Sequence, residues 1–159
     1  MDAKFTRLTD ILRQSDQILV AFSAGVDSTF LLKAAHLALG DRAVALTASS
    51  ASVPPGELDA AKRFAASLGC RDIVLDSHEI DNPAYAQNPV NRCFFCKDEL
   101  YRICRDQADR LGLATIVDGT NLDDLKTNLA DLAESNPRLR GLNLATFVDN
   151  SFIQRVEQR

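Results

Sequence analysis

The chain of 159 residues has no tryptophan, one methionine and no apolar run of the roughly eighteen residues that a membrane-spanning helix needs. Residues 1–9 mix charges and lack the apolar stretch of a signal peptide. Apolar residues make up 46% of the chain and charged residues 25%, which is typical of one globular domain. We therefore expect a soluble, cytoplasmic protein with no membrane partner.

The chain has only four cysteines and a small net charge. The four cysteines are Cys70, Cys93, Cys96 and Cys104, and in a reducing compartment a close pair such as Cys93 and Cys96 more often binds metal or does redox chemistry than forms a disulfide. A net charge of −4 provides no general attraction for polyanions, and the basic residues of 92–110 alternate with acidic ones. Nucleic acid is therefore not favoured as a partner.

Short apolar segments alternate with helical patterns along the first 117 residues. Strands are predicted at 17–22, 43–48, 73–75 and 114–117, and helices at 28–39, 54–68 and 92–111, with a weaker helix at 122–136. Strands that alternate with helices of this length imply right-handed crossovers. The pattern predicts an α/β domain with a doubly wound parallel sheet that is covered on both faces.

The segment 23–28, Ser-Ala-Gly-Val-Asp-Ser, lies between the first predicted strand and its helix. Such a turn presents backbone N–H groups and the positive end of a helix dipole, and the hydroxyls of Ser23, Ser28 and Thr29 add donors. The chain contains neither a Walker string nor a Gly-x-Gly-x-x-Gly string, which excludes both of those nucleotide sites. The segment predicts a phosphate-binding loop. The alternative is a plain tight turn in which Asp27 and Ser28 cap the helix.

Cys93 and Cys96 lie three residues apart at the start of a predicted helix, where the helix dipole, Arg92 and Lys97 favour their thiolate forms. They are candidate metal ligands, although two thiolates do not complete a four-ligand shell. The alternative is a single apolar helix face made of Cys93, Cys96, Leu100, Ile103 and Cys104. Cys70 and Cys104 have no partner at motif spacing and are predicted to be core residues.

The loop resembles the Ser-Gly-Gly-x-Asp-Ser pyrophosphate loop, or PP-loop, of the N-type ATP pyrophosphatases and differs from it only at Ala24. If that position needs a positive φ, alanine costs about 1 kcal/mol there relative to glycine. Two further strings, Asn-Pro-Val-Asn-Arg-Cys-Phe-Phe-Cys-Lys-Asp-Glu-Leu-Tyr at 88–101 and Asp-Gly-Thr-Asn-Leu-Asp-Asp at 118–124, extend the likeness. With them the chain resembles the LarE-type ATP-dependent sulfur transferases of nickel-pincer nucleotide cofactor biosynthesis.

The resemblance implies a Rossmann-like, three-layer α/β/α domain of the adenine nucleotide alpha hydrolase-like kind. The likeness covers residues 1–125, which would form the PP-loop ATP-binding domain. Residues 126–159 show no pattern of that family and no cysteine, and are expected to be a diverged C-terminal helical extension of the same domain. A homo-oligomer that acts on a small-molecule nucleotide substrate is expected.

The resemblance also implies ATP and Mg²⁺ as cofactors. The carboxylate of a pyridinium mononucleotide would be adenylylated with release of pyrophosphate, and a cysteine would then supply sulfur. The residues implied in nucleotide binding are Ala21, Phe22, Ser23, Ala24, Gly25, Val26, Asp27, Ser28, Thr47, Ala48 and Gly119. Asp27 and Asp123 are the expected Mg²⁺ ligands, because cations that bridge phosphates are usually held by one or two carboxylates. Both aspartates could instead be helix caps.

Cys93 and Cys96 are the expected catalytic cysteines. One of them could give up its own sulfur, or both could hold part of a [4Fe-4S] cluster that would need a further ligand from Cys70, Cys104, a partner chain or an outside thiolate. Two other functions stay open at this point. One is tRNA thiolation, since related PP-loop enzymes carry a Cys-x-x-Cys pair, and the other is a non-catalytic ATP-binding remnant.

Overall fold

The computed structural model describes residues 3–51, 53–54, 56–81, 92–121, 124 and 126, with only the backbone of residues 92–95. The strands are β1 (Ile18–Ala21), β2 (Ala43–Ser49), β3 (Arg71–Asp76) and β4 (Thr115–Asp118). The helices are α1 (Ala3–Leu12), α2 (Val26–Leu39), α3 (Glu57–Leu68) and α4 (Arg92–Leu111), with 3₁₀ turns at Gly40–Arg42 and Glu79–Asp81. One compact unit ends at Gly119, and a second begins at Thr120.

The four strands form one parallel sheet in the order β3-β2-β1-β4. The chain builds the sheet outward from β1 through β2 to β3, and then returns by way of α4 to place β4 on the other side of β1. The strand order therefore reverses between β1 and β4. In open α/β sheets this reversal opens a crevice at the carboxyl ends of the strands, where ligands bind.

The two faces of the sheet have separate cores because successive residues of a strand point to opposite sides. Ile18 and Val20 of β1 pack with α1, α2 and α3, while Leu19 and Ala21 pack with Ile103, Cys104 and Ala108 of α4. All four residues of β1 are buried, as expected for a central strand that helices cover on both faces. The structure thus has the three-layer α/β/α arrangement that the sequence predicts.

The predicted elements are confirmed with small shifts at their ends. Helix α3 ends at Gly69, whose φ of 71° is left-handed, and the next amide, from Cys70, donates to the carbonyl of Ala65 at 3.0 Å. Strand β3 is three residues longer than the predicted strand 73–75. The prediction missed its ends because they are polar and do not belong to the apolar run. The helix predicted at 122–136 lies outside the described residues except for positions 124 and 126. Within the part of the chain that is described, no helix is long and apolar enough to cross a bilayer.

Candidate active site

The phosphate-loop candidate, residues 23–28, leaves the carboxyl end of β1 at the point where the strand order reverses. β1 pairs with β2 on one side and with β4 on the other, and Ala21 lies opposite both Leu46 and Asp118. Helix α2 begins at Val26, immediately after the bend. The amide groups of its first turn and the positive end of its dipole therefore lie at the crevice, as a phosphate site requires.

Hydrogen bonds between near neighbours hold the loop in a closed bend. The Oγ atoms of Ser23 and Ser28 are 3.1 Å apart, and the Ser28 hydroxyl also donates to the carbonyl of Gly25 at 3.1 Å. The amides of Ser23 and Gly25 point to the Oγ atoms of Ser28 and Ser23, each at 3.4 Å. Ser28 is buried and Ser23 is exposed, so one hydroxyl fixes the loop and the other faces the solvent side.

The helix begins without a side-chain cap. Gly25 is the N-cap residue and makes no side-chain capping bond, while the Ser28 hydroxyl donates to its carbonyl. The choice between a phosphate loop and a plain capped turn therefore stays a prediction at this point. Asp27 lies in the first helical turn with an exposed carboxylate. The first-turn amides usually donate to a capping oxygen, and a phosphate oxygen can accept from the same donors.

Ala24 has a φ of 60°, the left-handed conformation that glycine adopts more readily. This is the geometry on which the expected cost of alanine at this position depends. Gly25, which follows it, has an ordinary extended conformation, with φ −65° and ψ 163°. The left-handed position of the bend is therefore occupied by a residue that carries a β-carbon, where the loop it resembles has glycine.

Gly119 comes directly after β4 and touches the start of α2. A β-carbon at this position would lie 2.7 Å from the backbone nitrogen of Ser28 and 2.9 Å from the carbonyl carbon of Asp27. Real β-carbons do not approach backbone atoms this closely, so only glycine fits. The structure thus brings the predicted residue Gly119 to the phosphate loop, where it controls how closely β4 approaches the loop backbone.

The residues implied in the adenosine pocket lie at the strand ends, but most of their side chains are in the core. Ala21 and Phe22 are buried, and the ring of Phe22 packs against Phe64 with centroids 5.9 Å apart. Thr47 is buried and donates its hydroxyl to Asp72 at 3.1 Å. Three of the four side chains are therefore buried and Ala48 is half-buried, and their place in an adenosine pocket stays a prediction.

The three cysteines whose side chains the structure describes do not converge. Cys96 is exposed, whereas Cys70 and Cys104 are buried in the cores on opposite faces of the sheet. The core interpretation is confirmed for Cys70 and Cys104 and is wrong for Cys96. Burial raises the pKa of Cys104 to about 11, with a smaller contribution from the charge of Asp118, so its thiol stays protonated near neutral pH.

The buried positions of Cys70 and Cys104 do not fit the further ligand that an iron-sulfur cluster at Cys93 and Cys96 would need. A cluster ligand must be a thiolate that reaches the metal, and neither Cys70 nor Cys104 can supply one beside Cys96. Among the residues that the structure describes, no group of three cysteine, histidine or acidic side chains could hold a metal ion. The side chain of Cys93 and the whole of Asp123 lie outside the described residues, so their predicted roles are not located.

Two residues at the crevice had no role in the sequence prediction. The hydroxyl of Tyr101 on α4 donates to the carboxylate of Asp118, the last residue of β4. Both residues lie in strings quoted for the family resemblance, but neither spacing nor residue type indicated that they would meet. A third omission is Glu79, a buried carboxylate that accepts hydrogen bonds from Ser50 and Ser77 beyond the ends of β2 and β3.

Arg102, on the charged face of α4, is paired with acidic residues of the same helix. Arg102 contacts Glu99 at 2.7 Å and Asp106 at 3.5 Å, and its hydrogen bond to Glu99 lowers the pKa of that carboxyl group. The predicted mixed-charge, solvated helix face is therefore confirmed at Arg102. A paired arginine of this kind offers little net positive charge to a nucleic acid backbone.

Comparison with known proteins gives two relatives. The chain is 40% identical over 126 residues to an uncharacterized protein, slr1717, of Synechocystis sp., which covers 79% of this chain and 47% of that protein. It is 32% identical over 128 residues to the pyridinium-3,5-bisthiocarboxylic acid mononucleotide synthase of Lactiplantibacillus plantarum, which covers 76% of this chain and 44% of the synthase. The chain thus spans about half the length of the curated relatives it matches. No protein-family profile matches it.

A solved structure with the same architecture is the NH3-dependent NAD synthetase from Campylobacter jejuni, determined with a nitrate ion. The superposition has a TM-score of 0.57 at 16% identity and covers 100% of this chain and 93% of the synthetase. This likeness establishes the fold, which is adenine nucleotide alpha hydrolase-like, as the sequence predicts. The LarE-type synthase among the relatives confirms the predicted resemblance.

Proposed function

We propose that the chain binds Mg-ATP at residues 23–28 and adenylylates a carboxylate of a pyridinium mononucleotide, as the first half of a LarE-type sulfur transfer. The observation that carries this proposal is the closed bend at the strand reversal, where Ser23 and Ser28 converge and Gly119 lies against the Ser28 amide. The 32% identity to a pyridinium-3,5-bisthiocarboxylic acid mononucleotide synthase supports the choice of acceptor.

The loop supplies the phosphate-binding groups. The exposed hydroxyl of Ser23 and the first-turn amides of α2 would donate to the β- and γ-phosphates, while the buried Ser28 hydroxyl keeps the bend closed. The exposed carboxylate of Asp27 in the same turn fits an oxygen ligand for Mg²⁺. When bound, this ion would neutralise phosphate charge, and the loop would hold the triphosphate in line for attack.

In the adenylylation step, a carboxylate oxygen of the acceptor attacks the α-phosphorus of ATP. The bond from the α-phosphorus to the bridging oxygen of the β-phosphate breaks, and pyrophosphate leaves with the electron pair. The product is an acyl adenylate. The donors of the loop stabilise the charge that develops on the departing pyrophosphate, which is the kind of stabilisation that lowers such barriers most.

We assign the sulfur to Cys96, with Cys93 as the second candidate. Cys96 is exposed, whereas Cys70 and Cys104 are buried. The Cys96 thiolate would attack the acyl carbon and displace AMP, which gives a thioester. Loss of the cysteine α-proton and cleavage of the Cβ–S bond would then release a thiocarboxylate and leave dehydroalanine at position 96. The atoms balance without an outside oxidant or reductant.

The nucleotide half of the proposal is tested by calorimetry with Mg-ATP on the parent chain and on Asp27→Ala and Ser28→Ala. We expect each substitution to weaken binding about tenfold or more, because each removes a charged or loop-closing group at the phosphates. Asp59→Ala and Ser67→Ala are matched controls. Asp59 is an exposed first-turn carboxylate of α3, and the hydroxyl of Ser67 donates to a carbonyl three residues earlier, as that of Ser28 does. Unchanged affinity in the loop variants would sink the proposal.

The chemical half is tested by mass spectrometry after incubation with Mg-ATP and the dicarboxylate counterpart of the bisthiocarboxylic product. We expect pyrophosphate release, and a peptide containing residue 96 that has lost its sulfur. Cys96→Ala should release pyrophosphate without thiocarboxylate formation. ATP binding with no pyrophosphate release would instead identify a non-catalytic nucleotide-binding protein, and salt-sensitive binding of tRNA would identify a thiolation enzyme.

The extent of the domain and its assembly are part of the same proposal. We propose that residues 1–125 form the PP-loop domain, that residues 126–159 are its extension, and that the chain forms a homo-oligomer. Light scattering measures the assembly directly. A monomer at micromolar concentration would contradict it.

A further inference from the structure

Two contacts meet at the carboxyl end of β4. On one side, the hydroxyl of Tyr101 on α4 donates to the carboxylate of Asp118. On the other side, the next residue, Gly119, lies so close to the start of α2 that a β-carbon would reach within 2.7 Å of the Ser28 nitrogen. Two consecutive residues thus connect the helix that carries Cys96 to the phosphate loop.

Tyr101 lies on α4 between the part of the helix that packs in the core and Cys96. The second half of the helix is fixed in the core by Ile103, Cys104 and Ala108, all of them buried. Cys96 lies five residues before Tyr101, or about 7.5 Å along the helix axis at the usual rise, and is exposed. Tyr101 therefore lies between the packed part of the helix and the proposed sulfur donor.

A second contact of α4 joins the helix to the segment that follows β3. Glu99 accepts a hydrogen bond from the backbone of His78, which follows β3. That contact ties the helix to the opposite edge of the described sheet, since the strand order is β3-β2-β1-β4. The Tyr101–Asp118 contact lies instead at the strand reversal, because Asp118 is paired with Ala21, two residues before the loop.

We propose that Tyr101 is a positioning residue that, through Asp118 and Gly119, sets the helix segment carrying Cys96 relative to the phosphate loop. The proposal rests on the proposed function for its catalytic consequence, but the mechanical link does not depend on it. Misplacing a reacting group by about 1 Å can cost about a hundredfold in rate, so one hydroxyl at this joint affects the second half-reaction, which needs Cys96 in place, more than the first.

The mechanical link is tested by residue-resolved amide hydrogen exchange on the full chain without nucleotide. Tyr101→Phe removes only the hydroxyl, and we expect faster exchange both in α4 around Cys96 and in the loop at Ser28. Arg102→Gln, which breaks an exposed ion pair on the same helix, is the control and should change neither segment. Faster exchange confined to α4, or no change at all, would overturn the link.

The catalytic consequence is tested by measuring the two half-reactions separately. Tyr101→Phe should slow the loss of sulfur from residue 96 about tenfold or more, with a clearly smaller effect on Mg-ATP binding and pyrophosphate release. Asp118→Asn keeps an oxygen that accepts from the tyrosine and should retain most of the transfer rate, whereas Asp118→Ala should not.

Parallel loss of both half-reactions would assign Tyr101 a general structural role and contradict the proposal. Equal transfer rates in Tyr101→Phe and the parent would contradict it too. If the parent itself releases no pyrophosphate, the proposed function fails, and the exchange measurement still decides whether the link exists.

Discussion

Ala24 shows how a single residue can weaken a site without removing it. Among the described residues it is the non-glycine residue with a positive φ, 60°, and it forms the bend that presents the loop amides. We expect Ala24→Gly to raise the free energy of unfolding by about 1 kcal/mol, because glycine adopts this conformation without the steric cost of a β-carbon. Urea unfolding measures the change, and calorimetry should show tighter Mg-ATP binding.

Ala60→Gly is the control with the opposite sign. Ala60 is an exposed residue in the interior of α3, where glycine costs about 1 kcal/mol of helix stability. If Ala24→Gly destabilises the chain as Ala60→Gly does, the left-handed angle at position 24 is not a source of strain.

Gly119 gives the second prediction at the scale of one residue. Gly119→Ala places a methyl group 2.7 Å from the Ser28 nitrogen, so either β4 or the start of α2 must move. We expect at least about a tenfold loss of Mg-ATP affinity, because the displaced amides belong to the proposed phosphate site. Calorimetry measures the affinity, and urea unfolding confirms that the variant is folded.

Gly112→Ala separates this effect from general destabilisation. Gly112 has a φ of 67° and open space around its α-carbon, so alanine there should lower the free energy of unfolding without changing nucleotide affinity. Equal affinity losses in both variants would show that the close approach at Gly119 has no specific role.

At the scale of one element, β3 carries a half-buried carboxyl group at Asp72. Its Oδ1 accepts from Thr47, while its Oδ2 is buried without a hydrogen-bond partner. Burial raises the pKa of Asp72 above 3.8, and the Thr47 hydrogen bond and the charge of Lys62 oppose this only in part. The folded state holds the Asp72 proton more tightly than the unfolded state does. The contribution of this carboxyl group to stability is therefore greatest below pH 3.8 and is lost as the pH rises through the raised pKa.

Asp72→Asn should therefore stabilise the chain at neutral pH by about 1 kcal/mol, because the amide keeps the Thr47 contact and removes the buried charge. The gain should disappear in acid, where the parent is also uncharged. Urea unfolding across the acidic range measures both. Asp76→Asn, at the exposed end of the same strand, is the control and should have little effect. A gain that persists unchanged in strong acid would contradict the assigned cause.

The individual strands and helices also show which features can be predicted from the sequence. β1 and β2 were predictable because each is a short, nearly continuous apolar run, and α4 because its apolar residues recur at helical spacing. The loop was predictable because its string follows a buried strand. The burial of the Thr47 hydroxyl against Asp72 was not, since it depends on the register between β2 and β3. The Tyr101–Asp118 contact likewise depends on the crossover that returns α4 to β1.

At the scale of the whole unit, the fold gives the cysteines different environments, with two thiols buried and one exposed. Cys70 is buried on the α3 side and donates its thiol to the carbonyl of Ala43 at 3.1 Å, while Cys104 is buried on the α4 side. Burial also raises the pKa of Cys70. Two inert thiols thus lie within the cores, and Cys96 is held at the surface. Spacing separates Cys70 and Cys104 from the Cys93–Cys96 pair, but only the fold shows that Cys96 is exposed rather than part of an apolar helix face.

This separation predicts how the stability of the folded unit depends on alkaline pH. The pKa of Cys104 is about 11 in the folded chain and 9.0 as a reference, so the folded state keeps the proton that the unfolded state loses. Its contribution to stability is complete below pH 9 and falls as the pH rises toward 11, by on the order of 2 kcal/mol.

Cys104→Ala should lower the stability at neutral pH through a small cavity but flatten the alkaline decline. Urea unfolding in the presence of a reductant measures both, with the exposed Cys96→Ala as a control that should keep the parental slope. A parental slope in Cys104→Ala would mean that other groups cause the alkaline loss.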